Sequence, residues 1–92
     1  MIYILHFDEP LKHARHYCGY AYSFESLEVR IKLHARGAAP PQGARLTQVL
    51  HQSGIGFTLA RILPGDRNEE RRLKNTRNIP KYCPMCRRRS QL

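Results

Sequence analysis

Tyr3 and Tyr17 lie near the start of the chain, each inside a run of apolar, aromatic and small residues that suits a strand. A strand tyrosine ordinarily serves packing, with an apolar ring and a polar tip. Arg30 and His34 are spaced so that a helix stacks them on one face. Alone, such a pair is a solvated basic face, but Leu27 and Ile31 share that side and put Arg30 at the rim of the buried stripe. Glu69 and Glu70 open a later helical stretch, where acidic side chains also suit the helix dipole. Around them stand Lys32, Arg36, Arg45, Arg61, Arg67, Arg71, Arg72 and Lys74. Together these are the parts that phosphodiester cleavage needs. A carboxylate holds a divalent metal, which stabilises charge on the phosphate and the leaving oxygen. A base activates water. A guanidinium binds the non-bridging oxygens bidentately, and further cations follow the phosphate backbone.

The charge balance points to the same substrate. The 92-residue chain carries 16 Lys and Arg against 7 Asp and Glu, a formal net charge of +9. Such a field attracts polyanions. Nucleic acid leads, because neutralising phosphates releases condensed counterions; an anionic membrane surface is the competing partner. No stretch approaches the ~18 apolar residues of a spanning helix. The opening Met1-Ile2-Tyr3-Ile4-Leu5 lacks the basic n-region of a signal peptide. The expectation is therefore a cytoplasmic protein with no membrane partner. Three cysteines, Cys18, Cys83 and Cys86, are too few for a disulfide scaffold and fit a reducing compartment. Cys83 and Cys86 have the spacing of half a zinc site, but structural zinc takes four ligands. No second pair has ligand spacing, His13 and His16 falling in or beside an expected turn, so zinc at Cys83/Cys86 is not expected unless two chains share their pairs. Arg87-Arg88-Arg89 reads as a disordered phosphate-binding tail.

The elements that must position these residues follow from periodicity and breakers. The length fits one domain. Met1 to Phe7 reads as a strand, ended by Asp8-Glu9-Pro10. His16 to Tyr22 reads as a second, giving a hairpin with a loop of about eight residues. Gly19 inside it marks a close backbone approach. Ser23 is a helix N-cap, and Ser26 to Ala35 has Leu27, Ile31 and His34 at helical spacing. Residues 37–43 form a loop. Ala44 to Gln52 reads as a second helix. Gly56 to Leu63 reads as a third strand, with Phe57, Leu59, Arg61 and Leu63 on one face and Thr58, Ala60 and Ile62 on the other. Asp66 or Asn68 caps a third helix to Asn75, and from Thr76 the chain reads as a loose basic tail. The order β-β-α-α-β-α predicts an α+β fold, a small sheet covered by helices. It places one domain at 1–82 and a Cys-containing tail at 83–92.

These pieces, in this order, resemble the GIY-YIG endonuclease superfamily. Ile2-Tyr3 stands where the first tripeptide would be, with Met1 for its glycine. Tyr17-Cys18-Gly19 stands where the second would be, with Cys18 for its isoleucine. Ser26 to His34 is similar to the family's first helix, with its arginine and a histidine one turn later. Glu70-Arg71-Arg72-Leu73-Lys74 is similar to the helix with the metal-binding glutamate. Ala44 to Thr47 and Gly54 to Ala60 resemble the small stand-alone members. The resemblance covers residues 1–82 and implies a three-stranded antiparallel sheet flanked by helices. It implies an endonuclease acting on DNA, branched or nicked DNA included, with one Mg²⁺ or Mn²⁺ and a protein partner for targeting as an option. On this resemblance Tyr3 or Tyr17 is the general base or positions the attacking water, and Arg30 clamps the scissile phosphate. His34 assists proton transfer or phosphate contact, Glu70 binds the metal, and Gly19 allows close approach to substrate. Lys32, Arg36, Arg45 and Lys74 contact the backbone. Glu70 is preferred to Glu69 because it shares a helical face with Leu73 and Lys74, whereas Glu69 points about 100° away. Family members often continue Pro-x-Tyr with asparagine; here Pro80-Lys81-Tyr82 is followed by Cys83. Two other readings remain: a catalytically silent nucleic-acid-binding protein of the same fold, and a small zinc-stabilised interaction module. The deciding expectation is geometric. Tyr3, Tyr17, Arg30 and Glu70 should converge on one cleft; a carboxylate across the sheet from the tyrosine rings would leave only an inert polyanion binder.

Overall fold

Six consecutive side chains of the first strand, Ile2 to Phe7, are buried, which is what a central strand covered on both faces requires. The computed structural model describes residues 1–12 and 14–86. It runs β1 (Ile2–Leu11), β2 (Ala14–Tyr20), α1 (Phe24–Ala35), α2 (Arg45–Gln52), β3 (Phe57–Leu63), α3 (Arg67–Asn75) and a 3₁₀ turn (Ile79–Tyr82). The strands form one antiparallel sheet in the order β2-β1-β3. The fold is thus α+β in the expected β-β-α-α-β-α order, with the 3₁₀ turn added.

Strand alternation sorts β1 into two cores. Tyr3 and Leu5 pack with Ala21 and with Leu27 and Ile31 of α1. Ile2 and Ile4 point the other way, to Cys18, to Leu73 of α3, and to Ile79 and Tyr82 of the 3₁₀ turn. The helix starts are set by side-chain caps. The Ser23 hydroxyl accepts from the Ser26 amide at 3.1 Å, and Asp66 accepts from the Glu69 amide at 2.9 Å.

Three features differ from the sequence expectation. First, β1 does not stop at Phe7. It continues through Asp8-Glu9-Pro10 to Leu11, which pairs with Ala14, and β2 runs Ala14–Tyr20 rather than His16 to Tyr22, so the expected loop of about eight residues shrinks to positions 12–13. The register is irregular between His6 and Leu11, and a ladder interrupted there asks no N–H of Pro10. Second, β3 does not alternate cleanly. Ile4 opposes Arg61 while Leu5 opposes Leu59, so Ala60 is the extra residue of a bulge. Phe57 consequently packs beside Tyr3 and Leu5, while Leu63 packs beside Ile2 and Ile4; the two are not on one face. Third, the chain beyond Thr76 returns to the sheet. The Arg61 guanidinium donates to the Tyr82 carbonyl at 3.3 Å, and Cys83 is fully buried. Arg87-Arg88-Arg89 lies outside the described residues. Among the described residues no helix is long and apolar enough to cross a membrane.

Candidate active site and a second polar cluster

Tyr3 and Gly19 are cross-strand partners. A Cβ on Gly19 would overlap the Tyr3 phenol, so the close approach foreseen at this glycine is made by the Tyr3 ring. The phenol is fully buried, and its oxygen sits in a chain of hydrogen bonds. The Arg30 Nε donates to it at 3.2 Å. His34 Nε2 lies 2.7 Å away, His34 Nδ1 lies 2.9 Å from the Thr47 hydroxyl, and Thr47 donates to the Ala44 carbonyl at 3.1 Å. Proton counting orients the chain. Thr47 has one hydrogen and gives it to Ala44, so it accepts from His34 Nδ1–H. His34 Nε2 then carries the lone pair and accepts the Tyr3 hydroxyl. Each group donates to the next, from Arg30 to Ala44. Helix α1 supplies Arg30 and His34 one turn apart, as their spacing predicts. Thr47 of α2 was not foreseen, because nothing in the sequence marks a helical threonine as the partner of a distant imidazole.

Burial raises the Tyr3 pKa to about 12, more than the Arg30 hydrogen bond lowers it. Burial lowers His34 to about 4, and the Arg30 charge adds to that. Burial also works against the Arg30 charge, but its hydrogen bonds and charge interactions with Tyr3 and Tyr17 outweigh it, and its pKa is raised. At neutral pH the phenol and imidazole are therefore uncharged and the guanidinium is charged. Both shifts oppose moving the Tyr3 proton to His34 in this resting state. The chain holds Arg30 in place; it does not relay a proton at rest.

Tyr17 completes the cluster, its ring centre 4.9 Å from that of His34 and 6.1 Å from that of Tyr3. The Lys74 ammonium lies 5.5 Å from the Tyr17 ring centre, within cation–π range. Tyr17, Arg45 and Lys74 line an open cleft of about 540 Å³, together with Cys18, Pro40 and Ile79. Tyr3, Tyr17, Arg30 and His34 are thus brought together. Glu70 is placed differently. Its helix, α3, packs through Leu73 against Ile2, Ile4 and Cys18, the face away from Tyr3. Glu70 is paired with Lys74 at 3.7 Å and its side chain is only 17% exposed. Both influence the Cys18 thiol, which burial pushes up to about 11 while Lys74 lowers it and Glu70 raises it. The structure therefore does not bring Glu70 into the Tyr3–Tyr17–Arg30–His34 group. It lies with α3 on the opposite face and is linked to Tyr17 only through Lys74, so the expected convergence of Tyr3, Tyr17, Arg30 and Glu70 on one cleft is not met. Glu69, with a side chain 52% exposed, pairs with Arg72 on the surface. Lys32 is exposed and paired with Glu28, and the exposed Arg36 caps α1 through its backbone.

On the other face lies a second cluster. The register that seats Tyr3 over Gly19 also pairs His6 with His16, their ring centres 5.1 Å apart. Cys83 Sγ lies 3.4 Å from His6 Nδ1. Cys86 Sγ lies 3.6 Å from His6 Nδ1 and 3.2 Å from His16 Nε2. All four ligand atoms fall within 4.8 Å of one another, a set able to hold a metal ion. Burial lowers His16 to about 4, with the charges of His6 and Arg15 adding to it. The sequence argument left Cys83 and Cys86 two ligands short because it sought a second pair close in sequence. The pair is made by strand register instead, and His13, weighed with His16, lies outside the described residues. The expectation that no second pair would join these cysteines is corrected.

No protein-family model, curated protein or solved structure matches this chain at a significant level.

Proposed function

We propose that this protein is a divalent-metal-dependent endonuclease of the GIY-YIG type that hydrolyses phosphodiester bonds in DNA. The observation that carries this reading is the meeting of Tyr3, Tyr17, Arg30 and His34 beside a cleft lined by Arg45 and Lys74. A buried phenol strung between a guanidinium and an imidazole, with each member satisfied, fixes the guanidinium rigidly in place. The Nε of Arg30 is taken by Tyr3 and the guanidinium also interacts with Tyr17; its remaining N–H donors would bind the non-bridging phosphate oxygens. Tyr3 and His34 are then positioning residues, and half-buried Tyr17 is the phenol that faces the attacking water.

Glu70 would hold one Mg²⁺ or Mn²⁺. A single, largely buried carboxylate suits a hard ion that keeps several waters and completes its shell with substrate phosphate. When bound, such an ion stabilises charge on the phosphate and the leaving oxygen. Lys74 neutralises Glu70 without it and adds, with Arg45, to the positive charge of the cleft. The formal charge of +9 favours encounter with a polyanion; branched and nicked DNA are the substrates to try first.

One observation favours a second reading. The helix that carries Glu70 packs on the face away from Tyr3, as it would in a catalytically silent nucleic-acid-binding protein. Nicking of branched, nicked and linear DNA with Mg²⁺ or Mn²⁺, with DNA binding measured in parallel, separates the two. The endonuclease reading expects Glu70→Gln to lose cleavage and keep binding. A wild-type protein that binds DNA and cleaves none of these substrates with either ion would leave the silent binder.

A further inference from the structure

We propose that His6, His16, Cys83 and Cys86 form a closed tetrahedral zinc site that clamps the C-terminal segment onto the β1–β2 hairpin. Zinc with two imidazoles and two thiolates has Zn–N near 2.0–2.1 Å and Zn–S near 2.3 Å, so a regular tetrahedron spaces its ligand atoms at about 3.3 Å for N···N and about 3.6 Å for N···S. The structure gives 3.3 Å from His6 Nδ1 to His16 Nε2. Three of the four N···S distances, Cys83 to His6, Cys86 to His6 and Cys86 to His16, are 3.4, 3.6 and 3.2 Å. These four distances are close to the edges of that polyhedron, and all four ligand atoms lie within 4.8 Å of one another.

Hydrogen bonding alone accounts poorly for this spacing. His6 Nδ1 has His16 Nε2, Cys83 Sγ and Cys86 Sγ all within 3.6 Å. One ring nitrogen offers a single hydrogen or a single lone pair, so a proton serves one of those three contacts. A cation at their common centre serves all of them. The donor set selects the ion: thiolate with imidazole in four-coordinate geometry suits zinc and not Mg²⁺. Cys83 is fully buried and His6 is 1% exposed. With four protein ligands no position is open for water, which is the pattern of a structural site.

Strand parity separates this site from the Tyr3 cluster. His6 shares the face of Ile2 and Ile4, and Tyr3 points to the other. The ion would therefore lie on the opposite face from Arg30, with His16 reaching the edge of the cleft lined by Tyr17, Arg45 and Lys74. Its work is mechanical. It ties Cys83 to His6, 77 residues earlier, and closing so long a loop removes conformational freedom from the unfolded chain. It does so where the core is thin: among the described residues the cluster under α3 has Ile2, Ile4, Cys18 and Leu73 buried, with Ala60, Leu63, Ile79 and Tyr82 packed partly buried against it.

The test is metal content and ligand chemistry, read without any nuclease assay, so the outcome is independent of the function proposed above. The full chain, purified and then reconstituted with Zn²⁺, should hold one zinc per chain by mass spectrometry, and removing it with chelator should lower the unfolding temperature. Replacing zinc with Co²⁺ should give the intense visible absorption of a four-coordinate ion and a near-ultraviolet thiolate charge-transfer band. Cys83→Ser and Cys86→Ser should lose the zinc, while Cys18→Ser and Glu70→Gln keep it. If the cysteine variants do not fold, the Co²⁺ spectrum of the wild-type chain decides. Substoichiometric zinc after reconstitution would overturn the proposal. So would a six-coordinate Co²⁺ spectrum without the thiolate band, full zinc in folded Cys83→Ser, or an unfolding temperature indifferent to chelator.

Discussion

Tyr3→Phe deletes one oxygen and tests the hydrogen-bonded chain directly. Two groups lose a partner. His34 is 1% exposed, so when its Nε2 loses the phenol at 2.7 Å no bulk water replaces it. An unsatisfied buried acceptor costs about 1–3 kcal/mol. Arg30 Nε loses an acceptor at 3.2 Å, but Arg30 is only half-buried and water recovers most of that. In a domain of this size about 1 kcal/mol moves the unfolding midpoint by about 4–8 °C, so the expected fall is about 4–24 °C. Activity should change more than binding. Arg30 is one of 16 basic residues, so DNA affinity at fixed salt should hold, whereas a guanidinium released from its anchor by about 1 Å can lose about 100-fold in rate. Thermal unfolding, single-turnover nicking and fluorescence anisotropy measure the three quantities. A double-mutant cycle with Arg30→Ala should return a coupling of about 0.5–3 kcal/mol. A Tyr3→Phe protein that unfolds and nicks like the wild type refutes the reasoning, and one that is destabilised but fully active makes the chain purely structural.

Two further outcomes follow from the same geometry. Gly19→Ala drives a methyl group into the Tyr3 phenol and should cost about 1–3 kcal/mol by overpacking; on a Tyr3→Ala background, measured by denaturant unfolding, most of that cost should vanish. His34 has a folded pKa near 4 against an ordinary 6.5, so the unfolded chain takes up its proton first. Its stabilising contribution is complete above pH 6.5 and lost as pH falls from 6.5 to about 4, a difference of at most about 3 kcal/mol. Denaturant unfolding across that range should show the wild type losing stability more steeply than His34→Asn.

What the sequence revealed and what it hid divide along physical lines. Arg30 and His34 were legible because helical spacing fixes which residues share a face, and Ser23 and Asp66 because a cap needs only local geometry. An opening hairpin and a small sheet covered by helices were legible from strand composition and order, and the three-stranded antiparallel form was what the resemblance implied. The β3 faces were not, since a bulge at Ala60 depends on pairing with β1 and leaves no composition signal. The end of β1 was misplaced because Pro10 is an ordinary breaker, and only the irregular register with β2 makes it tolerable. The cluster of His6, His16, Cys83 and Cys86 was missed because ligand spacing was sought along the chain. Pairing Tyr3 with Gly19 fixes the hairpin register and would have set His6 against His16.

The reading of Glu70 turns on sheet topology. β2 is an edge strand, and only at an edge do side chains from opposite faces come within reach of one another. That makes Tyr17, not Tyr3, the ring at which a carboxylate from α3 can meet a phosphate held by Arg30, and it puts Lys74 between the two halves. Lys74 is 47% exposed and 3.7 Å from Glu70, so their pair is worth at most about 1 kcal/mol. On the endonuclease reading a divalent ion must displace it. Lys74→Met keeps an unbranched stem over Tyr17 and releases the carboxylate, so the Mg²⁺ concentration for half-maximal nicking should fall by up to about fivefold. The same substitution removes one cleft cation, so DNA binding should weaken and its log–log salt slope should become shallower by about 0.9. Tighter metal with weaker DNA is the signature of a lysine shared between a metal ligand and a phosphate track. A salt slope that changes while the Mg²⁺ response stays still would mean that Glu70 serves only to hold Lys74, and the carboxylate would lose its place in the chemistry.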